Sequence, residues 1–187
     1  MGRGSLRKID HNSLHHTKGA WWLESWFHFS FASYYNPNNM NFGALRVIND
    51  DYIKGPSGFG KHPHRDAEIF TYIVEGITHS EFNHDKETVR SLQIWMTPDS
   101  RGHTPQYGSS RYVKEDRHNK LLLILGGTTA VPSWQGVAPG KGINLHQDAN
   151  VFVSESEAVA DDSEPMQLQL EALQKGSHFM IIEMVKS

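Results

Sequence analysis

The sequence predicts an all-β protein, a sandwich or barrel assembled from many short strands. Three observations carry that prediction. Short runs rich in β-branched and aromatic residues alternate between apolar and polar positions, clusters of Gly, Pro, Asn and Asp punctuate them, and a single stretch, 162–175, offers a pattern that a helix could use. With 187 residues, 37% of them apolar, the chain can bury a core as one domain or as two small lobes.

The elements follow in order. WFHFSFASYY (26–35) sets Phe27, Phe29 and Phe31 against Trp26, His28 and Ser30, the two-residue period of a strand. NPNNMNFG is rich in turn formers, and ALRVIND then reads as a second strand. GPSGFG (55–60) is a glycine-rich turn, EIFTYIVEG (68–76) a strand of β-branched and aromatic residues, and SLQIWM (91–96) and LLLILGG (121–127) two more. Between those last two lies a long polar connection. INLHQDANVFVSES (143–156) alternates again, and HFMIIEMVK (178–186) reads as a closing strand. In 162–175, Ser163 could cap a helix with Pro165 in its first turn, yet Met166, Leu168 and Leu170 also alternate as in a strand. Strand clusters before about 100 and after about 120 suggest two halves.

A net charge of −3 leaves no basic footprint for neutralising phosphates, so direct nucleic-acid binding is not expected. No apolar run approaches bilayer length and MGRGSLRKID lacks the apolar core of a signal peptide, so no membrane partner is expected and the expected location is cytoplasmic or nuclear. The absence of cysteine removes disulfides and thiolate metal sites, so any metal must take imidazole and carboxylate ligands.

KHPHRDAEIFTYIVEGITHSEFN (61–83) supplies such ligands. His62 and His64 are one residue apart, so on an extended chain both imidazoles share a face and can hold one ion. Pro63 fixes φ between them. His79 and Glu81 repeat the spacing, and three imidazoles with one carboxylate suit a borderline divalent metal while leaving positions open for water, substrate or O₂. A chain with twelve histidines produces His-x-His pairs by chance, and an exposed His near a turn is more often solvated; two same-face pairs close together are the stronger sign.

KHPHRDAEIFTYIVEG resembles the signature of the pirin family of bicupins, and THSEFN resembles its second ligand pair. WLESWFHFSFASYYNPNNMNFGALRVINDD, LQIWMTPDSRGHTPQY and INLHQDANVFVSE are similar to pirin-like proteins as well, notably the bacterial quercetinase branch. The resemblance implies a cupin-superfamily fold of two jelly-roll barrel lobes, an N-terminal lobe over 1–120 carrying the metal motif and a C-terminal lobe over 121–187, each shortened here. It implies His62, His64, His79 and Glu81 as ligands of one divalent metal, Fe(II) foremost, with Cu, Zn, Mn and Ni as alternatives. Glu81 would also accept a proton from a flavonol substrate in a quercetinase-type 2,3-dioxygenation. The other readings it implies are a non-enzymatic co-regulator or metal sensor with a transcription-factor partner, and an inactive shortened form.

In the family pattern further strands separate the two pairs, whereas here Gly76 runs directly into ITHSEFN. A strand over 68–75 that turns at Glu75-Gly76 puts roughly 30 Å of extended chain between the pairs, as the two ends of one tight hairpin. If the second pair cannot reach, Glu68 is the fallback third ligand. Trp21, Trp22 and Trp26 are expected in the core, His28 as a structural residue, His15 and His16 on an exposed turn, His146 as structural, and KEDRHNK around His118 as a solvated loop.

Overall fold

The computed structural model describes residues 9–75, 82–128, 143–156 and 177–184. The proposed helix or strand at 162–175 lies outside them, as do His79 and Glu81. The described chain is almost entirely β, as expected. Its strands are β1 (His15–Ala20), β2 (Leu23–Phe27), β3 (Leu45–Lys54), β4 (Ser57–Gly58), β5 (Glu68–Glu75), β6 (Phe82–Asn83), β7 (Thr88–Met96), β8 (Leu122–Gly127), β9 (Ile143–Leu145), β10 (Ala149–Ser156) and β11 (Ser177–Met184), with one helical turn α1 (Lys114–Arg117). Two compact units divide the chain, Met1–Thr97 and Pro98–Ser187. The break precedes the boundary at 120, because the polar connection is hydrogen-bonded to the second unit: the Asp99 N–H donates to the His146 carbonyl and the Asn119 N–H to that of Glu155.

The first unit holds a five-stranded sheet in the order β1-β2-β3-β7-β5 and a small β4-β6 ribbon. β3 pairs antiparallel with β2 and with β7, and β7 pairs antiparallel with β5. Alternation then sorts side chains into two faces. Leu45, Val47, Asn49, Asp51 and Ile53 are all buried, and opposite them on the same face stand Ser25, Phe27, Val89, Ser91, Gln93 and Trp95. On the other face Asp50 is buried beneath Arg90, whose Nε and NH2 donate to its two carboxylate oxygens at 3.0 and 2.9 Å. The second unit holds a four-stranded sheet in the order β11-β10-β8-β9, with Leu122, Ile124, Leu125, Leu145, Val151, Phe152 and Val153 as its core.

Several expectations are corrected. The strand expected at 26–35 stops at Phe27, since Ala32 takes a left-handed conformation (φ 49°) and the Ser30 hydroxyl donates to the Asn36 and Asn39 carbonyls, so the chain curls instead of continuing in the sheet. His15 and His16 belong to β1; His15 stacks on Tyr34 at 4.1 Å and the His16 Nε2 bonds Glu24 at 2.8 Å. INLHQDANVFVSES splits into β9 and β10, which flank β8 on opposite sides. Trp21 is 73% exposed, while Trp22 packs edge-on to Phe59 and Trp26 lies among His11, His16 and Tyr52. The segment before His118 forms α1, tied down where Lys114 and Arg117 pair with Glu155. His28 is packed in the first unit, where burial holds its imidazole below the ordinary value.

Candidate metal centre

The His-Pro-His segment lies between β4 and β5. Asp66, in a left-handed conformation (φ 48°) that Asp tolerates better than most residues, ends it and turns the chain into β5. The His62 Nδ1 lies 2.7 Å from the Gly60 carbonyl oxygen, which can only accept. Nδ1 therefore carries the proton and Nε2 is the lone-pair nitrogen, the arrangement that backbone carbonyls impose on metal-binding imidazoles. The His64 ring packs edge-on to Trp95, centroids 4.7 Å apart at 80°, which fixes it at the β7 end of the sheet face bearing Val47, Asn49 and Asp51.

The two imidazoles are 4.5 Å apart, centroid to centroid, and steeply inclined at 74°. Two rings bound to one ion through bonds of about 2.0–2.1 Å at neighbouring positions have centroids roughly 4.5–5 Å apart. The pair fits two coordination positions of an imidazole-preferring metal. Among the described residues no third His, Asp or Glu joins them. That includes Glu68, the fallback ligand: it opens β5 opposite Met96, on the face away from Trp95, so it does not complete the set.

The segment carrying His79 and Glu81 enters from Glu75, level with Arg90, and leaves at Phe82, which pairs with Gly58. This corrects the hairpin expectation on its described flanks. The antiparallel partner of β5 is β7, while β6 returns to β4, on the same run of chain that leads through Phe59 to His62. Asn83 anchors that return: its Nδ2 donates to the Ile53 carbonyl at 2.8 Å and to that of Glu87 at 2.7 Å. Phe59 lies 6.3 Å from the His62 ring and 5.0 Å from Trp22.

Sequence reasoning missed three residues on the sheet face that Trp95 shares with Asn49 and Asp51. Asn49 is 3% and Asp51 5% exposed, and an oxygen of each (Oδ1) is buried with no hydrogen-bond partner among the described residues; the buried Trp95 indole N–H likewise has none among them. All three project from the face against which His64 packs. Burial pushes the Asp51 carboxyl up to about 6, with a hydrogen bond from Ser25 opposing and the Asp50 charge adding to the rise. The available signal was polar Asn49 and Asp51 in phase with apolar Val47 and Ile53. In the second unit His103 stacks on His146 at 4.0 Å and bonds Asp99 at 2.7 Å, a hydrogen bond that holds the Asp99 carboxyl below its usual range.

A family model described as Pirin matches residues 10–78. A pirin-like protein of Caulobacter vibrioides is 42% identical over 133 residues, covering 57% of each chain, and a quercetin 2,3-dioxygenase of Escherichia coli K12 is 43% identical over 119 residues, covering 49% of this chain and 52% of the other. The chain thus spans only about half the length of these curated relatives. The crystal structure of YhhW from Escherichia coli superposes with a TM-score of 0.60 at 32% identity, over 78% of this chain and 69% of that one. A second structure, described as bacterial pirin YhhW in complex with nickel(II), gives 0.58 at 31% identity over the same shares.

Proposed function

The chain belongs to the pirin family, with its cupin fold, and on that premise we propose that it is a metal-dependent dioxygenase of the quercetinase type, acting on a flavonol. His62 and His64 supply two imidazole nitrogens, and His79 and Glu81 complete the set around one divalent ion. Fe(II) is the metal proposed; Ni, Cu, Zn and Mn suit the same donors, and nickel(II) is the ion in the bacterial pirin complex. When bound, the metal supplies the Lewis-acid and oxygen chemistry that the side chains lack.

The chain's own residues do the positioning. The Gly60 carbonyl holds His62 in the tautomer that presents Nε2, and the Trp95 edge orients His64. Glu81 has a second task, accepting the flavonol hydroxyl proton, which a carboxylate within hydrogen-bond reach performs as a general base. The pairing of Phe82 with Gly58 supports the convergence, because it returns the chain one residue after Glu81 to the strand that leads into His62.

The observation that carries the reading is the inclined His62–His64 pair at 4.5 Å, with the Nδ1 of His62 already committed to a backbone carbonyl. The test is oxygen uptake with quercetin after anaerobic loading with Fe(II). The wild type consumes quercetin and O₂ together and His62→Ala does not. Equal turnover by the variant, or none by the fully loaded wild type, overturns the assignment.

A further inference from the structure

A buried polar atom without a partner costs about 1–3 kcal/mol, and native folds keep few of them. Here three lie on one face of one sheet: the Trp95 indole N–H, the Asn49 Oδ1 and the Asp51 Oδ1. The register makes them consecutive rows, Val47 opposite Trp95, Asn49 opposite Gln93 and Asp51 opposite Ser91. Same-face positions along a strand are roughly 6.6 Å apart, so the three rows span roughly 13 Å. Their polar neighbours are already committed: Thr71 bonds Gln93, and Ser25 bonds the Asp51 carboxyl. An aromatic ladder borders the rows, Phe27 to Phe31 and Phe31 to Trp95 at 5.4 Å each, with His64 beyond Trp95.

From this arrangement we infer that the inward face of β3 and β7 is a binding floor for a planar, polyhydroxylated aromatic molecule, held by the Trp95 N–H, the Asn49 Oδ1 and the Asp51 Oδ1. The indole N–H donates to a carbonyl or hydroxyl oxygen of the ligand nearest the His62–His64 pair. The two side-chain oxygens accept from hydroxyls farther along the ring system. The aromatic ladder supplies the apolar flank that such rings need. This assignment rests on the proposed function for its ligand class, and it adds the residues that orient the ligand, which the metal motif does not contain.

The test separates binding from turnover. Quercetin is titrated without oxygen into the full chain, with and without Ni(II), and binding is followed by tryptophan fluorescence for the wild type and Asn49→Leu and by calorimetry for all variants, including Trp95→Phe. Trp95→Phe removes the indole N–H and Asn49→Leu the side-chain amide, while both keep an apolar group at the position, so each weakens quercetin binding about tenfold. Asn49→Leu also melts no lower than the wild type, because an apolar group there relieves an unpaired buried oxygen; a purely structural asparagine would lower the melting temperature. Wild-type affinity for quercetin in both variants, or no quercetin binding by the wild type, overturns the floor. Flavonol binding that is lost in the variants while no Ni(II) binds at all would refute the metal reading and uphold the floor.

Discussion

Asp51 gives the most quantitative prediction. Its carboxyl is 5% exposed, lies between Ser25 and Ser91 in neighbouring strands, and is raised by burial from an ordinary value of 3.8 to about 6. The folded protein therefore binds this proton more tightly than the unfolded chain. Stability from this group is fully present below about pH 4 and is lost as pH rises through about 6. Each tenfold in proton affinity is worth about 1.4 kcal/mol, so the charged carboxylate costs the fold about 3 kcal/mol above pH 7. Asp51→Asn keeps the shape and removes the titration. At pH 8 the variant is expected to be more stable than the wild type by about 3 kcal/mol, or about 6–12 °C in melting temperature for a chain of this size, and the gap is expected to narrow to about half of that at pH 5 and to close only below about pH 4. His28, held low by burial, loses stability toward acid instead, so the difference between the two proteins isolates Asp51. Urea unfolding of both across pH 5–8 makes the measurement. Parallel curves, or a variant weaker than the wild type at pH 8, would refute the reasoning.

Two further perturbations probe the scaffold. Arg90→Met leaves the buried Asp50 carboxylate without its two-point guanidinium contact, with the His11 imidazole at 3.8 Å and His28 also within electrostatic reach, and should destabilise the first unit by about 2–3 kcal/mol in urea unfolding; a loss below 0.5 kcal/mol would mean the pair is screened like a surface ion pair. Gly127→Ala places a methyl 2.2 Å from the Gln147 carbonyl oxygen and 2.7 Å from that of Ala149, both backbone atoms, so the second unit should lose about 2–3 kcal/mol or more; an unchanged melting temperature would show that the β9–β10 connection yields freely.

The sequence made the strands that carry dense β-branched, aromatic or other apolar runs easy to read, which covers β3, β5, β7, β8 and β11. It misled where alternation outlasted the sheet: Phe29 and Phe31 keep the period of β2, yet the Arg46 guanidinium donates to the Ser30 and Met40 carbonyls and holds that stretch as a curl. β1 was invisible because HHTKGA carries no apolar stripe and is a strand through its pairing with β2. Two-residue β4 and β6 offer no period at all; their pairing is fixed at a distance by the Asn83 amide. At the site the same asymmetry holds. A His-x-His pair announces itself through side-chain chemistry, whereas Asn49 and Asp51 look like outward positions until the register of β3 against β7 shows that their face is buried.

The central claim, that two short segments surround one cation, is tested most directly by X-ray absorption at the nickel edge of the Ni(II)-loaded chain. The account predicts one equivalent of metal with three imidazoles and one carboxylate at about 2.0–2.2 Å, reduced to two imidazoles in His79→Ala. A spectrum of fully hydrated nickel, or one unchanged by His79→Ala, would contradict it.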